Sequence, residues 1–455
     1  MIKRLLSSIV VVLFVLTTSA QSSSIISGPV LGQVEYRTAT ILLEVSPTVQ
    51  SVSLQYWKQH EDVKSAKTVA YKGLLGSDFN PLKITIGGLD MNTTYEYQFI
   101  IDKKIASQTK ATFTTLELWQ WRKPVPDFSF ITGSCAYFNQ PIYDRPGKPY
   151  GGDSSIFETM AKEKSAFMLW LGDNWYTREV DYYSTWGLNY RASHDRSLPI
   201  LQPLWKAMPH YAIWDDHDYG PNNADKAYIL KEDSRKLFIQ YWGNPSFGQE
   251  GKGIYTKISY GDVDVFLMDD RYFRSADEMS AYIDGKPNPL KRMWGAEQME
   301  WLKNALLFSK ATFKIIATGS QTLNKASKDD CLQSYPIEFN ELMDFFTTEK
   351  INGILFLTGD RHHSEIVQYK RDNAYPLYDI TNSPFTSGTG ILKEGDKEFN
   401  NPDRISNTLV EKQNYSRISV NGKKGDRVLK VEFVGLKGDK LADWKISEKE
   451  LKFPQ

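Results

Sequence analysis

Six short apolar runs in the second part of this chain each stop on residues with metal-binding or phosphate-binding chemistry. The run 128–132 leads into Gly133-Ser134-Cys135, and 166–171 leads into Gly172-Asp173-Asn174-Trp175-Tyr176. The run 211–214 meets Asp215-Asp216-His217-Asp218, and 263–268 meets Asp269-Asp270-Arg271. The run 313–318 meets Gly319-Ser320-Gln321, and 354–358 meets Gly359-Asp360-Arg361-His362-His363. Short β-rich runs of this kind read as strands buried in a sheet. In open α/β sheets a ligand sits beyond the carboxyl ends of the strands. One sheet is therefore expected to gather Cys135, Asp173, Asp216, His217, Asp360 and His362 at a single edge. That set of carboxylate, imidazole and thiol groups is large enough to hold two metal ions, and it points to a hydrolase.

With 455 residues, the chain is too long for one ordinary domain. Apolar residues make up 41%, enough to build real cores. Lys plus Arg equals 55, as does Asp plus Glu, so the net charge is zero. That balance argues against a general binder of nucleic acid or anionic membrane, which would carry a basic excess. The first 20 residues read as a signal peptide: Lys3 and Arg4, an apolar core at 9–16, then small residues up to Ala20. No later segment is apolar enough to span a membrane. The mature protein is expected to be exported, periplasmic or extracellular.

Residues 21–116 read as a small all-β sandwich, with β-rich runs separated by turn residues at short intervals. Leu89-Asp90 followed by Thr93-Thr94-Tyr95-Glu96-Tyr97 resembles the corner of fibronectin type III domains. Residues 119–126 read as a linker that packs against the next domain. From 127 to 455 strands alternate with helical patterns, the order of an α/β domain with a mostly covered sheet. Ser155-Ile156-Phe157-Glu158 fits a capping box. Ala296, Met299, Leu302 and Leu306 form one helical stripe, and Phe339, Leu342, Met343 and Phe346 another. Strand-like runs at 416–420 and 428–434 extend the sheet or form its edge. Loops at 139–153, 220–225 and 273–289 are long enough to surround a site.

Each signal has a duller reading. Asp after Gly at a strand end is commonly a turn or cap residue. Two such ends with a nearby His are less easily dismissed. Three carboxylates around His217 repel one another unless a cation or buried network compensates. His363 is as good a supporting residue as a ligand. Cys135 and Cys331 are the two cysteines; they read evenly as a disulfide or as one metal thiolate and one free thiol. Arg271 and Arg274 suit forked binding of phosphate oxygens, or plain salt bridges. There is no Gly-x-Ser-x-Gly elbow and no phosphate-binding glycine loop. Gly388-Thr389-Gly390 reads as a turn.

With these residues in hand, the chain resembles the PhoD-like alkaline phosphatases of the calcineurin-like metallophosphoesterase superfamily. The matching pieces include Gly133-Ser134-Cys135, Gly172-Asp173 with Tyr176, and Trp214-Asp215-Asp216-His217-Asp218. Asp270-Arg271 with Arg274, Trp294-Gly295-Ala296-Glu297-Gln298, and Gly359-Asp360-Arg361-His362 complete the set. The resemblance implies a metallophosphoesterase-type α/β sandwich behind the β-sandwich, holding two or more metal ions. By match, Asp173 bridges the cations. Cys135, Tyr176 and His362 complete one site, and Asp216, Asp360 and Asn222 the other. Iron(III) and calcium are favoured, with zinc or manganese as alternatives. His217 is implied to act as general acid or to orient phosphate, and Arg271, Arg274 and Arg361 to hold phosphate oxygens. The implied reaction is in-line attack on phosphorus by a hydroxide that the cations generate, with a small phosphate ester as substrate. The rival reading is an exported adhesion or glycan-binding protein with structural metals only. Oligomeric state is not legible.

Overall fold

A computed structural model describes residues 24–327 and 330–454; the leader read at 1–20 lies outside them. The first unit is all-β. A three-stranded sheet of Ile25–Val34, Thr38–Val45 and Asn80–Gly87 is joined by a four-stranded sheet of Lys67–Ala70, Val52–Lys58, Thr94–Ile101 and Lys104–Thr114. Along Asn80–Gly87 burial alternates residue by residue, so Leu82, Ile84 and Ile86 face inward, as the pleat dictates. They join Ile41, Leu54, Tyr97 and Phe99 in a core that draws on both sheets. At the corner read from sequence, Leu89 is buried and the Asp90 N–H donates to Tyr95 Oη at 2.9 Å.

The second unit holds two six-stranded mixed sheets, not the single sheet expected. In the first, the parallel strands His210–Ile213, Met168–Leu171 and Phe128–Gly133 continue antiparallel into Asn414–Asn421, Val428–Gly435 and Lys440–Ser447. In the second, Val263–Leu267, Phe313–Thr318, Ile354–Thr358 and Leu377–Thr381 run parallel. Thr256–Tyr260 and Glu365–Tyr369 close its two edges antiparallel. All six apolar runs form strands, but the first three enter one sheet and the last three the other. The runs ending at Leu171, Ile213 and Thr358 are fully buried because their strands are covered on both faces. The tail strands do extend a sheet, but Asn414–Asn421 pairs along Phe128–Gly133 in its middle.

Helix Pro336–Thr348 buries Phe339, Leu342, Met343 and Phe346, as read. Helix Ala296–Phe308 buries Met299, Leu302 and Leu306, but Ala296 is exposed and Gln298 takes its place. The Gln298 amide accepts from the Asp269 N–H at 2.8 Å and donates to the Asp269 carbonyl at 2.7 Å, pinning the strand end. The capping box at Ser155 does not form: Ser155 is helical, and its N–H donates to the Asp153 carboxylate at 2.8 Å. Between the two units the linker packs through buried Val125, while Trp121 stands fully exposed. No helix among the described residues is long and apolar enough to cross a membrane.

The two units share a closed interface. Val30 and Leu42 of the first join the core of the second. The Gln33 N–H donates to the Gly243 carbonyl at 3.0 Å, and Ser193 Oγ donates to Glu44 at 2.7 Å. Lys83 reaches the end of helix Lys231–Tyr241, where its ammonium donates to the Trp242 carbonyl at 3.0 Å and to that of Ile239. A cation there complements the helix dipole, yet burial lowers the Lys83 pKa to about 8. The folded pKa thus lies below the unfolded value of about 10.4, and the unfolded chain binds more protons between the two. The Lys83 contribution to stability therefore rises with pH across about 8 to 10. The Tm of wild type minus that of Lys83→Met should rise over that window. A difference that stays flat would contradict a depressed Lys83.

Candidate metal centre

The carboxyl ends of the parallel strands from both sheets meet at one place, and glycines make the approach close enough. A Cβ on Gly172, whose φ is +90°, would stand 2.6 Å from Asp215 Cβ. A Cβ on Gly359 would stand 2.6 Å from the Leu171 carbonyl and 2.8 Å from Ser134 Oγ. The Cys135 N–H donates to the Gly172 carbonyl at 3.4 Å, and the Gly359 N–H to that of Gly319 at 2.8 Å. Cys135, Asp173, Asp360 and His362 all adopt left-handed backbone, with φ of 63°, 52°, 67° and 56°. Such conformations in residues other than glycine are held only where the surroundings force them, and they cluster at functional sites.

Two donor groups form there and share one residue. Cys135 Sγ, an Asp173 oxygen and a His362 nitrogen lie within 4.8 Å of one another. A second group of Asp173, Asp216 and His217 meets the same limit. Tyr176 lies against both. Its hydroxyl is 3.3 Å from His362 Nε2, and its ring lies 4.2 Å from that of His217. The Asp360 carboxylate turns toward Arg361 at 3.9 Å, while its carbonyl accepts from Cys135 Sγ at 3.7 Å. Asn222 is exposed on the wall of the adjoining cavity, and its neighbour Asn223 donates an N–H to Asp216 at 2.7 Å.

The electrostatics of this edge are those of a site lacking positive charge. Burial, then the charges of Asp216 and Cys135, raise Asp173 well above the usual carboxylate range. Burial and the Asp360 charge push the Cys135 thiol up to about 11. Burial and the Asp330 charge raise Asp360 to about 6. Asp216 is the exception: burial opposes its charge, but His217 and Arg271 hold it low. Burial lowers both His217 and His362, favouring the neutral imidazole that can ligate. Asp216 Oδ1 and His217 Nδ1 are buried without a hydrogen-bond partner among the described residues. Thiol, phenol, imidazole and carboxylate donors with unspent acceptors fit cations well.

The other expected residues fall into place less directly. Asp218 is structural, accepting the Asp215 N–H at 2.7 Å and the Asn174 N–H at 3.2 Å. Asp215 pairs with Arg271 at 2.5 Å. Arg271 and Arg274 are fully buried in ion pairs instead of lining the open cavity. Arg361 is engaged by Glu398 at 2.7 Å. His363 turns away into the protein, 3.5 Å from Glu365. The disulfide is absent: both cysteines are free and buried, and Cys331 Sγ donates to the Asn324 carbonyl at 3.6 Å. No turn forms at Gly388-Thr389-Gly390; the segment is irregular, and its Gly390 N–H donates to the His362 carbonyl at 2.7 Å.

Two neighbours escaped the sequence reading. Tyr150, on the long loop 139–153, brings its hydroxyl to 2.8 Å from His362 Nδ1. Ser383 Oγ approaches Cys135 Sγ to 3.2 Å and accepts the His362 N–H at 3.0 Å. Only the length of the first loop hinted at a role, and nothing near Ser383 did. A cavity of about 500 Å³ opens beside the donors, lined in part by Tyr150, Tyr176, His217, Asn222, Arg145 and Lys148.

If Cys135 ligates and Cys331 does not, their variants should separate. Loaded with iron(III), the wild type should show a visible thiolate and phenolate charge-transfer band. Cys135→Ser should shift or weaken it, and Cys331→Ser should leave it in place. Mass spectrometry of unreduced, active protein that found a Cys135–Cys331 bridge would contradict the free thiol.

Comparison with known proteins converges on one family. The model of the PhoD-like phosphatases matches residues 130–431. Alkaline phosphatase D of Bacillus subtilis (strain 168) is 25% identical over 325 residues, which are 61% of this chain and 52% of that protein. The chain thus spans about half the length of the curated relative it matches. A solved structure of PhoD superposes with a TM-score of 0.74 at 18% identity, covering 93% of this chain and 90% of that one. A purple acid phosphatase, PPD1 from yellow lupin (Lupinus luteus) seeds, gives 0.65 at 10% identity, covering 92% and 74%. These two likenesses are of fold, a metallophosphoesterase-like arrangement of mixed sheets behind all-β strands. With the family model matching most of the chain, this protein belongs to the PhoD-like phosphatase family.

Proposed function

We propose that this chain is an exported, metal-dependent phosphoric ester hydrolase of the alkaline phosphatase or phosphodiesterase type. The observation that carries the reading is the sharing of Asp173 between two donor groups whose members fit cations. Cys135, Asp173, Tyr176 and His362 would hold one cation. Asp173, Asp216, Asp360 and Asn222 would hold the other, once the Asp360 carboxylate turns from Arg361. Export rests on the character of residues 1–20.

When bound, the cations supply Lewis acidity and a hydroxide nucleophile at neutral pH. The protein's own groups do the rest. His217 stands at the junction of donors and cavity, its ring packed on Tyr176. Its Nδ1 is free to hold the proton passed to the departing alkoxide. Tyr150 and Tyr176 fix the His362 ring from two sides. The tyrosine-lined cavity takes the organic group of the ester, with Arg145 and Lys148 at its rim. Arg271 stabilises Asp215 and Asp216 and, by the family resemblance, would offer its guanidinium to a phosphoryl oxygen. A purely structural metal site saturates its ion with protein ligands and has no need of an adjoining cavity.

Hydrolysis of a chromogenic phosphomonoester and diester should be lost with chelator and restored by metal. His217→Ala should lower kcat by about two to four powers of ten while metal content holds. An inactive wild type at full metal content would end the hydrolase reading. A His217→Ala protein that comes out empty of metal would make His217 a ligand.

A further inference from the structure

Two buried guanidinium groups converge on a single carboxylate at the rim of the candidate centre. Arg271 and Arg274 follow the strand Val263–Leu267, and neither side chain is exposed. Asp330 lies on the connection between the strand Phe313–Thr318 and the helix Pro336–Thr348. Its Oδ1 accepts from Arg271 Nη2 at 3.4 Å and from Arg274 Nη2. On the far side, Arg271 Nε donates to Asp215 at 2.5 Å, so one guanidinium spans Asp330 and the segment that carries Asp216 and His217. Arg271 also acts electrostatically on Asp216 and His217.

A plain salt bridge explains this only in part. Arg274 already has Asp277, at 3.1 Å from Nε and 2.7 Å from Nη2, and Arg271 already has Asp215. Asp330 adds a third carboxylate where negative charge is in excess. After burial, its charge is the first cause that raises Asp360. Even with Asp330 in place, Arg271 Nη1 is buried with no hydrogen-bond partner among the described residues. A carboxylate oxygen shared by two guanidiniums presents what a phosphoryl oxygen would present in the same fork. While Asp330 sits there, both arginines are covered, and a phosphoryl group reaches them only if that carboxylate gives way.

We propose that Asp330 occupies a phosphate-binding position between Arg271 and Arg274, and sets the affinity for phosphate by competing with substrate and product oxygens for the two guanidiniums. This rests on the hydrolase reading above for the identity of the anion. A carboxylate that returns to the arginines as phosphate leaves would keep product inhibition weak.

The test compares Asp330→Asn, Asp330→Ala and Asp330→Glu with wild type at matched metal content. It measures inhibition of aryl phosphate hydrolysis by inorganic phosphate, and phosphate binding by calorimetry. Removing the competing charge should lower the phosphate Ki and Kd at least about tenfold in Asp330→Asn and Asp330→Ala, with KM falling in the same direction. Asp330→Glu, which keeps the charge, should stay within about threefold of wild type. Unchanged or weaker phosphate binding in Asp330→Asn and Asp330→Ala, in protein that still melts cooperatively, would make Asp330 a structural counter-ion and overturn the proposal. A wild type that hydrolyses no ester, with variants that bind phosphate more tightly, would remove the hydrolase reading and leave the anion site standing.

Discussion

Like-charge crowding in a dry place is the constraint on which the rest of this structure depends. Asp173, Asp216, Asp360 and the Cys135 thiol meet where two sheets end, and Asp173 and Cys135 are almost wholly buried. Two unit charges 4 Å apart near a protein surface repel by about 4 kcal/mol, and a whole domain is stable by only about 5–15 kcal/mol. The edge therefore cannot carry its full negative charge alone. Protons relieve it, the direction in which burial and neighbouring charges push Asp173 and Asp360, or cations do. Arg271 and Arg361 are compensating charges at this edge, but Asp215 and Asp330 already claim the first and Glu398 the second. A cation between the donors relieves the repulsion at its source and deprotonates the thiol at the same time.

The fold accepts strain to build this edge. Left-handed backbone at Cys135, Asp173, Asp360 and His362 costs of order 1–3 kcal/mol each. That cost is met by deep cores in both sheets and by a network that holds each loop in position. Ser383 holds Cys135 and His362, Gln298 pins Asp269, and Gly390 fixes the His362 carbonyl. The β-sandwich in front contributes from outside. It packs on helices Thr185–Ser197 and Lys231–Tyr241, the second of which buries Phe238 against Trp214, just before Asp215, Asp216 and His217.

Much of this was legible because a strand covered on both faces leaves a continuous apolar run, and the residues just after such a run must lie at a sheet end. That logic places Cys135, Asp173, Asp216, His217 and His362 together from the sequence alone. It failed to separate two sheets, since a run records only that its strand is buried and not which neighbours it has. The polar helix Thr185–Ser197 left no apolar stripe, because it buries Arg191, Asp195 and Arg196 through ion pairs and ring contacts instead. Tyr150, Ser383 and Asp330 were invisible for a related reason. Each reaches the site from a loop whose path is set by tertiary contacts, and a lone Tyr, Ser or Asp in a loop carries no periodic signal. Arg271 and Arg274 were found by type, but their burial against Asp215, Asp277 and Asp330 depends on packing that spacing does not encode.

The central claim is that Asp173 joins two cations. Metal analysis of purified wild type and Asp173→Asn, with anomalous scattering from crystals of the wild type, tests it most directly. The account predicts two ions per wild-type chain, about 3.5–4 Å apart on either side of Asp173, and loss of both in Asp173→Asn. An active wild type that holds one ion or none, or an Asp173→Asn protein that keeps two ions and full activity, would contradict it.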